Sequence, residues 1–281
     1  MANLITAQPE LDQYGVNQVD SMLQSFLIEE SVMLSKITDR SSKVKKGDKS
    51  HFIPTMAIGD VKSKTQKADM EADEAVDGGD LLIFDKHKYM NYELEDEADE
   101  KSIVDSVQGW LERASKKMAL QIDKDIIAEL QASAAAANTF SQIAATMGKA
   151  DAIELRRLMR KQFIRPQELR FGINPDKEAE LLSVADFVSA DIYGKSNPSG
   201  IESGILGTLY GVPVFVHEEI DPDFSLFFHQ SALAYAAVIQ LRYQTDYRLK
   251  GLSRDHAVDM LYGVKGLDSG VRAGVITAFV P

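Results

Sequence analysis

The stretch SIVDSVQGWLERASKKMALQIDKDIIAELQASAAAA, residues 102–137, contains no proline and spaces Ile103, Val107, Leu111, Ala114, Met118, Ile122, Ile126 and Leu130 by steps of three or four. That period places all eight on one stripe of an α-helix. The acid-rich approach, Glu97, Asp99 and Glu100, complements the positive end of the helix dipole. About 30 to 35 residues at about 1.5 Å rise make a rod of roughly 45–50 Å. A rod longer than a small domain is wide serves architecture, so the rest of the chain is read outward from it.

Upstream, Val19, Met22, Leu23, Phe26 and Leu27, then Val32, Met33 and Ile37, again recur at three and four and predict an N-terminal helix. His51 to Met56 reads as the start of a strand, placed at an edge by Pro54. Asp77-Gly78-Gly79-Asp80 supplies a turn between Leu81 to Phe84 and Lys88 to Leu94, which predicts a long two- or three-stranded arm. An arm this thin has little apolar surface on which to collapse and needs a partner to lie on.

Downstream, a helix is predicted from Ala150 to Gln162 and a strand over 169–174, stopped by Pro175. A helix from Asp176 to Ala185, a polar loop over 193–204 and a strand from Val212 to Val216 follow. Ser225 to Phe228, Leu233 to Tyr243 and Ala257 to Val264 read as strands, before a last apolar run, Val275 to Val280. The alternation is that of an α+β protein.

The 281 residues carry 31 Lys and Arg against 43 Asp and Glu, a net charge of −12, unevenly spread. Residues 69–100 hold thirteen acids and two lysines, a net of −11, whereas residues 36–67 net +6. Such a pattern argues against one broad basic face wrapped on nucleic acid. With 44% apolar residues the chain is globular, and with no cysteine it has neither disulfides nor thiolate metal sites. The first base is Lys36 and the longest apolar run is Ala232 to Ile239, so neither a signal peptide nor a membrane span is expected.

Motifs for chemistry fail on their own geometry. Tyr193-Gly194-Lys195-Ser196 ends like a phosphate loop, but Ser189 stands where the first glycine belongs. His217-Glu218 begins like a zinc-protease pair, but Asp221 occupies the place of the second histidine. A calcium loop starting at Asp73 has Ala75 and Phe84 at two ligand positions. Gly200 to Gly204 has Glu202 in place of a nucleophilic serine. The five histidines are isolated, and Trp110 reads as core. No catalytic residue, cofactor or metal is expected, and the chain is not expected to be an enzyme.

The order of these elements, together with Gly47 to Ile53, Ser102 to Ala137, Phe171-Gly172-Ile173-Asn174-Pro175 and Gly204 to Val214, resembles the major capsid protein of tailed bacteriophages, the Hong Kong 97 fold. The resemblance implies an N-terminal arm (1–50), an extended hairpin loop (51–101), a spine helix with the start of a peripheral domain (102–149), an axial domain (150–231), and peripheral strands with a C-terminal return (232–281). The hairpin would lie across a neighbouring copy. Lys43, Lys45, Lys46, Lys62 and Lys64 on one side and Asp77, Asp80 and Asp85 on the other are the candidate subunit-interface residues, their opposite charges setting register between neighbours.

The function so implied is a homo-oligomeric icosahedral shell around double-stranded DNA that is held without sequence-specific binding. A separate scaffolding protein, a portal and decoration proteins are the further partners. The shell would be assembled in the bacterial cytoplasm and reside in the virion. Some members of the family cross-link a hairpin lysine to a late asparagine; Lys86 and Lys88 are present, but no asparagine follows Asn197, so cross-linking does not carry over. An encapsulin-like nanocompartment shell and a soluble α+β divalent-cation-binding protein are the alternatives.

Overall fold

The computed structural model describes residues 19–27, 31–56, 63–64, 77–97, 106–144, 146–161, 164–165, 168–182, 208–209, 212–268 and 271–277. The helices are α1 (19–27), α2 (Ser106–Ser133), α3 (Lys149–Lys161) and α4 (Pro175–Leu182). The strands are β1 (Thr38–Asp39), β2 (Ser50–Met56), β3 (Asp77–Ile83), β4 (Lys86–Glu95), β5 (Thr139–Ser141), β6 (Leu169–Ile173), β7 (Thr208–Leu209), β8 (Val212–Val216), β9 (Phe224–His229), β10 (Leu233–Arg248), β11 (Ser253–Gly266) and β12 (Ala273–Thr277). They form a four-stranded sheet in the order β1-β10-β11-β4, a six-stranded sheet β5-β12-β9-β6-β8-β7, and a separate ribbon β2-β3.

The helical stripe behaves as its period dictates. Leu111, Ala114, Met118, Ile122, Ile126 and Leu130 of α2 are all buried, and they pack on one face of both sheets. The alternation within single strands assigns the layers. On β10, Leu233, Tyr235, Ala237, Leu241 and Tyr243 face α2, whereas Ala234 and Ala236 face the opposite side. On β9, Leu226 and Phe228 face α2, and Phe227 turns to the far side of the six-stranded sheet, where Leu155 and Met159 of α3 and Leu181 of α4 cover it. The run Ala232 to Ile239 is apolar throughout because both faces of β10 are covered over much of it.

Two boundaries have local causes. α2 ends at Ser133, four residues short of the expectation, because Asn138 Nδ2 donates to the Val271 and Ala273 carbonyls (2.7 and 3.0 Å) and draws the chain onto β12, beside which β5 runs parallel. α4 starts at Pro175 rather than ending a strand there: Asn174 Oδ1 accepts from the Asp176 amide at 2.9 Å, and proline suits the first helical position. β12 joins the six-stranded sheet through β9 and β5, so residues 273–277 leave the strands that precede them in sequence.

The arm differs most from the sequence reading. Asp77 to Asp80 is not a turn; it is the start of β3, which pairs antiparallel with β2 in the register Phe52 with Leu81 and Pro54 with Gly79. The chain instead passes from the ribbon into β4 at Phe84-Asp85, and Lys86 to Glu95 becomes an outer strand of the four-stranded sheet, paired with β11 from Tyr262 to Ser253. The glycines mislead because Gly79 is needed within the strand: a Cβ there would lie 2.5 Å from the Phe52 ring, which crosses over it.

Candidate assembly surface

The β2-β3 ribbon has two unlike faces. Ile53, Leu82 and Phe84 point inward and bury against Ala234, Ala236 and Leu267. This anchor requires a close approach, since a Cβ on Gly263 of β11 would lie 2.2 Å from the Ile83 carbonyl oxygen. Asp80 Oδ2 also accepts from the Asp268 amide at 2.9 Å. The outward face carries Phe52, Leu81 and Ile83, exposed by 56, 47 and 54%. Phe52 and Leu81 are direct cross-strand partners, and Ile83 is two positions along the same face. Three large apolar side chains side by side on a two-stranded ribbon form the kind of patch that a soluble monomer keeps small.

Around the ribbon's base lie Lys43, Lys45 and Lys46, all exposed and without an ion pair among the described residues. The loop carrying them is held by the Lys45 amide donating to Asp48 Oδ2 (2.8 Å) and by Gly47 at φ 100°. Lys64 is exposed, and Asp85 is exposed at the junction between β3 and β4. Asp77 opens β3, and Lys62 lies outside the described residues. Of the candidate acids whose side chains are described, Asp80 is bonded within its own chain and Asp85 is exposed.

The acidic run is split between two places. Glu93 and Glu95 sit at the far end of β4, opposite Asp255 and Ser253, beside the tip of the β10-β11 hairpin. There Glu93 Oε1 accepts from Ser253 Oγ (2.8 Å) and lies 3.6 Å from Arg248, while Asp96 Oδ2 accepts from Tyr247. Eight residue steps of strand, roughly 26 Å, separate Glu93 from Asp85. Lys86 and Lys88 are not arm lysines either: they lie 3.6 and 3.9 Å from Asp125 on α2, which also accepts from Tyr262 Oη at 2.7 Å.

Sequence reasoning left one buried knot unseen. Asp123, fully buried in the middle of α2, accepts from Ser31 Oγ, the Val32 amide (3.0 Å), the Met33 amide and His217 Nε2 (3.1 Å). His217 Nδ1 accepts from the Glu219 amide, which fixes the proton on Nε2. His217, whose likeness to a zinc-protease pair fails at Asp221, is a core clasp joining the N-terminal segment, α2 and the β8-β9 loop. Ninety residues or more separate the partners in sequence, and no local signal announces them. Among the described residues no group of three possible metal ligands gathers, and no helix is long and apolar enough to cross a membrane. The phosphate-loop and serine-elbow segments lie outside the described residues, as do residues 73–76 of the calcium-loop segment, whose remainder is β3 and Phe84.

By sequence, no family model and no curated protein matches the chain. By structure, the likeness is extensive. A chain of Mycobacterium phage Che8 superposes with a TM-score of 0.72 at 20% identity, covering 88% of this chain and 90% of that one. The capsid of cyanophage P-SCSP1u gives 0.75 at 12% identity, with 89% of each chain covered. The chain has the Hong Kong 97 capsid fold. A virus-like particle from Pyrococcus furiosus shares the likeness at a lower TM-score of 0.58 and 12% identity, over 93% of this chain and 98% of that one. The long α2, the two sheets on it and the ribbon standing off β10 are thus parts of one Hong Kong 97 fold rather than of separate modules.

Proposed function

We propose that this chain is a major capsid protein, many copies of which close an icosahedral shell around the double-stranded DNA of a tailed bacteriophage. The observation that carries the reading is the overlap with phage capsid structures, which covers 88–89% of this chain and 89–90% of theirs. The outward apolar face of the ribbon supports it, because Phe52, Leu81 and Ile83 are exposed and none of the described residues covers them. In this reading the ribbon lies on a neighbouring copy. α2 with the four-stranded sheet forms the peripheral domain, and the six-stranded sheet with α3 and α4 forms the axial domain.

The role is structural rather than enzymatic. Apolar burial holds the contacts, since exposed ion pairs contribute only about 0–1 kcal/mol each, and charge sets register. Weak contacts repeated over many copies still yield a stable closed object. A separate scaffolding protein guides closure, with a portal and decoration proteins as further partners, and the shell is built in the host cytoplasm. The phage reading is favoured over a nanocompartment because the phage capsids superpose better, at 0.72 and 0.75 against 0.58. Purified chain examined by sedimentation velocity and negative stain tests the proposal: hollow particles of uniform diameter are expected, and a monodisperse monomer or dimer under all conditions would refute it.

A further inference from the structure

α3 carries a face that none of the described elements covers. Asp151, Ala152, Leu155 and Met159 are buried against the six-stranded sheet, which turns Ile153, Arg157, Arg160 and Lys161 outward, with Arg156 on the flank. Residues 156–165 hold five bases and no acid in a chain of net charge −12. Arg157 is paired with Glu154, but Arg156, Arg160 and Arg165 make no ion pair among the described residues. The negative end of the helix dipole accounts for bases at Arg160 and Lys161. It does not account for Arg156, nor for Ile153, 51% exposed in the middle of the basic residues, nor for Ile143, 52% exposed next to the helix start.

An apolar centre within a charged rim is the composition of a protein interface; a phosphate-backbone site would gain nothing from the two isoleucines. The complementary charge lies on the same unit. The β8-β9 loop, residues 217–223, holds Glu218, Glu219, Asp221 and Asp223, of which Glu218, Asp221 and Asp223 are exposed. Glu219 Oε2 lies 3.3 Å from Lys124, and His217 bonds Asp123, so this loop is fastened on the α2 side of the six-stranded sheet. α3 covers the other side. The basic face of α3 and the acidic loop therefore lie on opposite sides of the six-stranded sheet, the arrangement that joins identical copies head to tail and closes rings.

Resting on the shell reading, we propose that the basic face of α3 docks on the acidic β8-β9 loop of a second copy of this chain, and that this contact forms the rings from which the shell is built. The test compares wild type with three variants: Arg156→Glu/Arg160→Glu/Lys161→Glu, Glu218→Lys/Asp223→Lys, and the chain carrying both sets. Far-UV circular dichroism and thermal melting first establish that each is folded. Either reversed set alone is expected to lower the yield of sedimenting particles at least tenfold, and the combined chain to regain most of it, because the interface then has inverted but matched charge. Wild-type yield from the helix variant would overturn the proposal, as would a folded combined chain that does not recover. Normal shells with reduced nucleic-acid content would also overturn it, in favour of DNA as the occupant. Failure of wild type itself to form particles would instead refute the shell reading on which the proposal rests.

Discussion

Asp123 collects two backbone amides, a hydroxyl and an imidazole in a site closed to water. Removing it leaves those donors buried and unmatched, at a cost of about 1–3 kcal/mol for each group that finds no water. Asp123→Ala is therefore expected to destabilise the fold by at least about 3 kcal/mol and to lower Tm by several degrees in a thermal melt, whereas exposed Lys124→Ala changes little. Asp259 gives a pH signature. Burial pushes its carboxyl up, but hydrogen bonds from Arg242 (2.7 and 2.8 Å) and His87 (3.2 Å) outweigh that and hold its pKa below the ordinary 3.8. A depressed carboxylate stabilises the fold above its unfolded pKa and loses that contribution as pH falls through the folded value. Arg242→Ala should shift acid unfolding, followed by circular dichroism below about pH 4, to higher pH, and should cost about 1–2 kcal/mol at neutral pH given the partial exposure of the arginine.

Among the elements, α2 was readable because a period of 3.6 needs no partner to be recognised, and its stripe is buried at the positions that the spacing names. The strands of β9, β10 and β11 were readable from their composition. Strand pairing was not. Gly78-Gly79 sits within the ribbon, Gly79 beneath Phe52, so the strongest local turn signal marked a strand, and the passage from the ribbon into β4 at Phe84-Asp85 carries no glycine. Lys86 and Lys88 looked like arm residues because the acid that receives them, Asp125, lies far along the chain on another element. Of the interface candidates, exposure could be anticipated for the lysines, but the bond from the Asp268 amide to Asp80 could not. Two substitutions separate the faces of the ribbon. Gly263→Ala forces its Cβ against the Ile83 carbonyl and should loosen the arm, read as faster proteolysis within residues 50–83. Phe52→Ser with Leu81→Ser should leave Tm within a few degrees yet abolish or sharply reduce particle formation in sedimentation, because both side chains are already in water in the monomer.

On the scale of the whole molecule, the net charge of −12 is a sum over separate districts. Exposed lysines stand at the foot of the ribbon, acids gather at the end of β4, and α3 and the β8-β9 loop carry opposite signs on opposite sides of one sheet. Screening confines each district to near contact, about 8 Å at physiological salt. Assembly should accordingly weaken as salt rises, and Lys43→Gln/Lys45→Gln/Lys46→Gln should flatten that dependence in light scattering if the basic segment meets a neighbour; an unchanged slope would remove it from the interface. The most direct test of the account is a cryo-electron microscopy reconstruction of the assembled product in which the chain can be traced. The account predicts a closed icosahedral shell in which Phe52, Leu81 and Ile83 of each ribbon are buried on an adjacent copy. Particles that leave that face in solvent, or a protein that forms no shell, would contradict it.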